Sequence, residues 1–542
     1  MIALALAGYV GLAVILTWPL AAEIATHLPR VAGDFTSDLY YAGWALAWQT
    51  HALATSPAEL PHANIYGGAP LALFYGTPGF GLLPVFAPIF VASGNPTLAL
   101  NATLLVNLAA TATALHLVTR RWTGSELAGI AAGTTFLTSK TALVMCAIMP
   151  QYAALAAMPV LIWWLARPEL GWGATLGLAA LVAFQCVTDV VYVALPVVLI
   201  AGLAAGVMLL RPPTRAKGLR VLVALALAMV ALMPVYAGYL GVRAANPDLR
   251  TQSVWTGKFF AFVDEWTGLP LGYGPLALDP AALLPAIVGV VLGLTRIVDV
   301  PAERVRAWRH AGFWFFTGWM IAWVIPVQYP AFRSFVLDSV VRDFLRLGLG
   351  ALIAACLLTG LGFAACVAAA RTFVRPSFGP AVAGALLALV VAGRIGHAHW
   401  TPGAYPTSPA PRPGPEAAIL RAGAGPVLVL PVGDPRKDTA SHATAMYRSI
   451  GHWRTLLNGY CSYYPSGFRE RVELFRRLPD SDVLDTLRHD TRLTNIVVHA
   501  IGFPEMTVGR WRNAIVAGAL PGVRIDHDDG EVLVLAIDSR GW

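Results

Sequence analysis

Long apolar segments, repeated along most of the chain, are the feature that most constrains its fold. About eleven runs reach roughly 20 residues, the length that crosses about 30 Å of hydrocarbon. They lie near 2–21, 96–118, 126–147, 150–167, 171–189, 190–210, 219–240, 280–297, 311–328, 346–370 and 378–396. Only 13% of the residues are charged, against about a quarter in soluble domains. The sequence therefore predicts an α-helical polytopic membrane protein with about eleven transmembrane helices.

Basic residues in the connecting loops predict its topology, because cytoplasmic loops collect Lys and Arg. These connectors are Arg120/Arg121, Arg167, 211–220, 296–309 and Arg371/Arg375. All of them fall on one side if segment 77–93 does not cross. The N-terminus is then cytoplasmic, and 22–95 and everything after about 397 lie outside. Segment 77–93 is short and rich in Pro and Gly, which favours a re-entrant or interfacial element, with a twelfth span as the alternative.

The net charge of +8 has the same explanation. Its Lys and Arg are scattered among short loops instead of forming one basic surface, so nucleic acid is not expected as a partner. The expected partner is the membrane bilayer.

Three regions follow from composition. Residues 1–396 form the transmembrane domain, which includes a large first outer loop, 22–95. A Pro-rich stretch, 397–414, is typical of a stiff linker. Residues 415–542 predict a small extracytoplasmic α/β domain, with strands at 426–431, 495–499 and 532–537 and helices in FRERVELFRRL and SDVLDTLRH.

Two acids follow the first apolar run, in GDFTSDLYYAGWALAWQTH. Asp34 and Asp38 share one face if this stretch is helical. They can cap the helix or favour its dipole, and Ser37 is another candidate cap. A carboxylate here can also act as a general base or bind a divalent ion. The following aromatic residues indicate a helix in the bilayer interface.

Arginines near the outer end of a late span form the second constellation. Arg333, Arg342 and Arg346 occur in FRSFVLDSVVRDFLRLGLG. They can pair with neighbouring acids or extend their head groups to the interface. Alternatively, their guanidinium groups bind a phosphate bidentately.

Signatures of other chemistry are missing from the sequence. It has no HExxH, paired CxxC, EF-hand or Walker motif and no GxGxxG, so a nucleotide site is not expected. The sequence does not assign a metal site, and a divalent cation is kept as an alternative cofactor. Asp189 joins two apolar runs and is therefore predicted at the outer surface of the membrane. This position favours a cavity on the outer side.

The arrangement of a first span, an outer loop with an early acid, many spans and an outer C-terminal domain resembles the C-type (GT-C) membrane glycosyltransferases. Within them it is similar to a set of bacterial membrane proteins that share Gly-Asp in the first loop and paired arginines before a late span, here VVRDFLRLGLG. That set also has a His followed by Asn-Gly-Tyr, here His452, Asn458 and Tyr460 in GHWRTLLNGY.

The resemblance implies an enzyme of the bacterial cytoplasmic membrane that moves a sugar from a polyprenyl-phosphate donor to a glycan, lipid or protein acceptor outside. Asp34 best matches the family's catalytic acid and Asp38 comes second, while Arg342, Arg346 and Arg333 would hold the donor phosphate. His51, Asp189, His452, Asn458 and Tyr460 are candidates for the acceptor site or its wall. The adjacent Asp-Glu pair of protein mannosyltransferases and the WWD motif of oligosaccharyltransferases are absent, so neither substrate carries over.

The alternative function is a transporter or flippase for a lipid-linked glycan. It would predict ionisable residues in mid-span and a repeated architecture. In this sequence the charges gather at the outer ends of the spans.

Overall fold

The computed structural model describes residues 2–30, 36–139, 141–252, 302–321, 348–373, 381, 384–385, 388, 405–435, 438–500 and 504–538. Most of these residues are helical. The helices of the apolar part are α1 (Ile2–Leu16), α2 (Thr36–Thr55), α3 (Leu83–Ser93), α4 (Pro96–Thr123), α5 (Glu126–Leu137), α6 (Cys146–Ile148), α7 (Ala157–Ala166), α8 (Trp172–Thr188), α9 (Ala194–Leu209), α10 (Arg215–Ala245), α11 (Ala302–Trp319) and α12 (Leu349–Phe373).

Local sequence explains the bounds of the longest apolar helices. Asn95 caps α4 by accepting a hydrogen bond from the Leu98 amide (3.0 Å), and Pro96 follows at the first helical position. The helix ends at Gly124, whose φ of +68° is the left-handed conformation that glycine adopts easily. Ser125 then caps α5.

Three described helices are long and apolar enough to cross a membrane: Pro96–Thr123, Pro212–Ala245 and Leu349–Ala370. The bent pair Glu126–Leu137 and Ala142–Ile148 makes a fourth if it is one span. This confirms a helical membrane protein but not the count of eleven. The predicted run 280–297 and most of 378–396 lie outside the described residues.

The segment 77–93 is a short helical element. It consists of a 3-10 turn, Phe80–Leu82, followed by the 11 residues of α3. At 1.5 Å per residue, α3 is about 17 Å long, well short of the hydrocarbon thickness. It packs against α2 and α4, and its re-entrant or interfacial position stays a prediction.

The C-terminal region folds around a four-stranded mixed sheet. Its elements are α13 (Glu416–Ala422), β3 (Val427–Leu430), α14 (Thr439–Ser449), α15 (Phe468–Arg477), α16 (Ser481–Thr491), β4 (Asn495–His499), α17 (Pro504–Val516), β5 (Val523–Asp528) and β6 (Val532–Ile537). The strand order is β3-β4-β6-β5, with β3 and β4 parallel and the other pairs antiparallel. The three predicted strands and two predicted helices are confirmed.

The first outer loop extends this sheet. Segment 455–459 pairs with β3 through hydrogen bonds of 2.8 Å on both sides of Val427. Its other edge pairs with segment 64–67 through three main-chain hydrogen bonds of 2.7–2.9 Å. The buried side chains of the loop and of the C-terminal region form one continuous cluster. The region predicted as an outer domain therefore shares its core with the first outer loop.

The described part of the Pro-rich stretch, 405–414, is packed into the fold. Its strand β2 (Thr407–Pro409) pairs antiparallel with β1 (His27–Pro29). Tyr405 is buried, and its hydroxyl donates to the Leu143 carbonyl (2.9 Å). These residues thus form a two-stranded edge that tolerates proline, instead of the spacer that composition predicted.

The interfacial interpretation of α2 is wrong for its aromatic face. Trp44 is fully buried and its Nε1 donates to Asn64 Oδ1 (3.1 Å), while Trp48 Nε1 donates to the Leu60 carbonyl (3.1 Å). A buried indole needs an acceptor, and the loop after α2 supplies both. The aromatic residues therefore pack on protein.

Candidate functional site

The structure describes six of the predicted site residues. Asp34, Arg333, Arg342 and Arg346 lie outside the described residues. The six that can be placed are Asp38, His51, Asp189, His452, Asn458 and Tyr460.

Asp38 lies in the first turn of α2, beside the C-terminal region. The Tyr460 hydroxyl donates a hydrogen bond of 2.5 Å to Asp38 Oδ1, across 422 positions of sequence. The Tyr460 ring also packs edge-on against Tyr41. The carboxylate is further favoured by the positive end of the α2 dipole. The structure thus brings together two residues that were predicted separately.

Helices α2 and α14 run side by side in the same direction. Ser37 Oγ lies 2.8 Å from Thr439 Oγ1 at their N-terminal ends, so Ser37 bonds across the interface and is not the cap of α2. At the other end, the α2 residue Trp48 contacts Trp453, just beyond α14. The positive ends of both helix dipoles therefore converge next to Asp38.

Gly43 sets the spacing between these helices. A Cβ atom there would stand 2.7 Å from the Tyr447 ring, closer than carbon atoms approach. The Tyr447 hydroxyl lies within hydrogen-bonding distance, 2.8 Å, of Thr97 Oγ1 on α4. This ring therefore ties α14 to α2 and to the membrane helices.

A buried thiol lies behind Asp38. Cys461 follows Tyr460 and contacts the hydroxyls of Tyr41 and Tyr66. Burial raises the pKa of Cys461 to about 12, and it raises the pKa of both tyrosines well above their usual value. These groups stay protonated at neutral pH, so Cys461 is not a nucleophile here.

His51 and His452 are not near Asp38. Thirteen residues of helix separate Asp38 from His51, about 20 Å at 1.5 Å per residue. The His51 ring stacks on Trp453, with centroids 4.3 Å apart. His452 Nδ1 accepts a hydrogen bond from the Arg454 amide (3.1 Å). Their assignment to an acceptor site stays a prediction, but for a place other than Asp38.

The Asn458 side chain continues the sheet. It is fully buried, its Oδ1 accepts from the Val429 amide and its Nδ2 donates to the Val429 carbonyl, both at 2.8 Å. It therefore acts as a substitute peptide group between β3 and the first outer loop. Nothing in this arrangement leaves the amide open to a ligand.

Asp189 is buried, with 1% exposure, at the end of α8. Its Oδ1 accepts hydrogen bonds from the amides of Val191 (3.0 Å) and Tyr192 (2.7 Å), and Gln151 Nε2 lies 3.4 Å from Oδ2. The carboxylate caps the turn that leads to α9. Main-chain donors therefore replace water around this group, and its place at the outer side of the membrane stays a prediction.

Two buried histidines predict how stability depends on pH. Burial is the main cause that lowers the pKa of His452 and of His499 to about 4, and Arg454 and Arg448 add to it. Since the unfolded value is about 6.5, the unfolded chain binds more protons between pH 6.5 and 4. The stability present above pH 6.5 is lost as pH falls through this window, by about 2 kcal/mol for each group at pH 5.

We expect the thermal midpoint of the detergent-solubilised chain, followed by tryptophan fluorescence, to fall by a few degrees from pH 7.5 to pH 5. His452→Gln should reduce the fall, whereas His489→Gln, at an exposed position, should leave it unchanged. An equal thermal midpoint at both pH values would contradict the attribution of this pH dependence to His452 and His499.

Solved structures with a similar fold fit this architecture. The chain aligns with mycobacterial arabinofuranosyltransferase AftD at a TM-score of 0.59 and 15% identity, over 99% of this chain and 40% of AftD. The chain therefore shares the fold of AftD. At this identity the similarity extends to the fold alone, and the chain spans less than half the length of AftD.

Two further structures align over most of their length. ArnT from Cupriavidus metallidurans has a TM-score of 0.48 at 15% identity, covering 98% of each chain. The oligosaccharyltransferase AglB from Archaeoglobus fulgidus has a TM-score of 0.45 at 11% identity, covering 99% of this chain and 74% of AglB. No family model and no curated protein sequence matches the chain.

The described residues contain no group of three or more His, Cys, Asp or Glu placed to hold a metal ion. Asp34 is not among the described residues, so the binding of a divalent cation by its carboxylate stays a prediction.

Sequence reasoning missed the residues that join the first outer loop to the C-terminal region. Asn64 Nδ2 donates to the Arg454 carbonyl (3.1 Å), while its Oδ1 accepts from Trp44. Ser37 and Thr439 meet in the same way. Contacts across almost 400 residues leave no periodicity, so only the polar residues within an aromatic run could have suggested them.

Proposed function

We propose that the chain is a membrane glycosyltransferase that moves a sugar from a polyprenyl-phosphate donor to an acceptor outside the cytoplasmic membrane. The observation that carries this proposal is the fold shared with the arabinofuranosyltransferase AftD across 99% of the chain, with the acid-bearing start of α2 enclosed by the C-terminal region. The hydrogen bond between Asp38 and Tyr460 supports that enclosure.

In the proposed reaction, Asp34 accepts the proton of the acceptor hydroxyl as general base. The acceptor oxygen attacks the anomeric carbon, and the bond from that carbon to the phosphate oxygen breaks. The electron pair leaves with the polyprenyl phosphate, whose charge Arg342, Arg346 and Arg333 would bind. If a divalent ion takes part, Asp34 would bind it instead.

Tyr460 acts as a positioning residue in this scheme. It fixes Asp38, and with it the first turn of α2, which directly follows the segment with Asp34. We expect Tyr460→Phe to lower kcat by about tenfold, since a hydrogen bond to a charged group contributes about 1.5–3 kcal/mol. The donor KM should change less, because the ring still packs on Tyr41.

Steady-state kinetics per folded molecule measure this effect. Tyr464→Phe is the matched control, because its ring packs on Phe468 instead. A loss confined to the yield of folded protein, with kcat unchanged, would give Tyr460 a structural role only.

Sealed proteoliposomes test the proposed function against transport of a lipid-linked glycan. The proteoliposomes are supplied with a labelled donor and an extract that contains acceptors. If the chain is a transferase, labelled acceptor and free polyprenyl phosphate should form. Intact donor that only changes leaflet, with no labelled acceptor for any donor, would favour the flippase.

A further inference from the structure

A pocket of about 210 Å³ lies in the C-terminal region, away from Asp38. Eight of its lining residues are apolar, which together form what we call the floor, and the other two are arginines, which we call the rim. The lining residues are Leu430, Pro431, Val432, Phe475, Arg476, Leu478, Pro479, Val498, Arg510 and Trp511.

The pocket is placed where the sheet topology favours ligands. Leu430 is the last residue of β3, and Val498 is next to last in β4. Because these strands are parallel, their carboxyl ends meet at one edge, and ligands of open parallel sheets bind outside that edge. The volume is below the roughly 300–1,000 Å³ of drug-sized sites, so it suits one ring-sized group.

The rim offers positive charge. Arg510 is exposed and forms no ion pair or hydrogen bond with any residue that the structure describes. Arg476 donates to the Glu473 carboxylate (3.1 Å), and both side chains are about half exposed. Such a surface pair contributes only about 0–1 kcal/mol, so an anionic ligand can replace Glu473. A guanidinium group binds carboxylate or phosphate bidentately.

The floor suits the apolar face of a sugar. Phe475 and Trp511 line it, and both are almost fully buried. Two prolines form part of the wall, so the wall presents few main-chain donors. Ligand pockets are typically lined by apolar and aromatic side chains, with a few polar or charged groups that orient the ligand.

The pocket is connected to the start of α2 through one short loop. After lining the pocket at Pro431 and Val432, the chain continues through Gly433, whose carbonyl lies 3.1 Å from His442 Nε2 on α14. That helix begins at Thr439, which contacts Ser37 beside Asp38. The described part of this loop, 431–435, therefore forms the wall of the pocket and contacts α14, the helix that meets Ser37 beside Asp38.

We propose that this pocket binds one sugar residue of the acceptor and that this residue bears an anionic group, a carboxylate or a phosphate. The acceptor is then an anionic glycan, recognised by Arg476 and Arg510. Its identity as acceptor rests on the proposed function, whereas saccharide binding does not.

Isothermal titration of the full chain in nanodiscs measures binding directly. The probes are trigalacturonate, its neutral counterpart galactotriose, mannose 6-phosphate and inorganic phosphate. We expect at least one of the anionic sugars to bind at least tenfold more tightly than galactotriose and inorganic phosphate. Whichever of them is tighter identifies the anionic group.

The double variant Arg476→Gln/Arg510→Gln should lower that affinity at least tenfold. Arg524→Gln, at an exposed position outside the pocket, should not change it. Absence of binding, equal binding of galactotriose or of inorganic phosphate, or unchanged binding by the double variant would each overturn the inference. Transfer without saccharide binding would leave the proposed function standing, and saccharide binding without transfer would reject that function alone.

Discussion

Asp34→Asn is expected to lower sugar transfer by about 10²–10⁴-fold, the contribution of a general base. The amide keeps the size and hydrogen-bonding reach of the carboxylate but cannot accept the acceptor proton. Asp34 directly precedes α2, whose first turn the C-terminal region holds through Tyr460 and Thr439. Transfer is measured with labelled donor on purified variants of matched folded yield.

Two acids provide controls for this substitution. Asp38→Asn retains a partner for the Tyr460 hydroxyl and should cost less than Asp34→Asn. Asp438→Asn changes the cap of α14, which accepts from the Ser441 amide. Asn is an equally good cap, so transfer should be nearly unchanged. Full transfer by Asp34→Asn would remove Asp34 from the chemistry.

Asn458→Leu is expected to have the largest effect on stability. The substitution removes both partners of the Val429 main chain. Each buried polar group left without a partner costs about 1–3 kcal/mol, which gives roughly 2–6 kcal/mol for the two. Because the Tyr66 amide donates to the Asn458 carbonyl (2.9 Å), the loss should also loosen the first outer loop.

Thermal unfolding and limited proteolysis measure the two consequences. A lower midpoint should be accompanied by faster cleavage between residues 60 and 70. Asn513→Leu, at an exposed position on α17, is the matched control and should stay within about 0.5 kcal/mol. Equal midpoints for the two variants would contradict the role given to Asn458.

The predictable parts of the fold were those with local signals. Apolar runs located the long helices, such as α4, and short continuous apolar runs located β3, β4 and β6. Strand β5 escaped because VRIDHD has only two apolar residues and is mostly exposed. The number of spans stays open, since only three described helices meet the length and hydropathy of a full crossing.

The candidate site was less predictable because it depends on distant contacts. Sequence named Asp38 and Tyr460 independently, and it could not pair them. It assigned Asn458 and Asp189 to a cavity, whereas both use their polar atoms to satisfy main-chain groups. The aromatic residues of α2 fit a membrane-interface pattern equally well, because a sequence does not show whether lipid or protein covers a face.

The most direct test of a sugar transfer is the balance of its products. The purified chain in nanodiscs, which enclose no second compartment, is supplied with acceptor and a donor labelled on both sugar and lipid phosphate. The account predicts one polyprenyl phosphate released for each sugar that appears on the acceptor, and both products lowered by about 10²–10⁴-fold with Asp34→Asn. Intact donor after incubation of the folded wild-type chain with every donor and acceptor tried would contradict it.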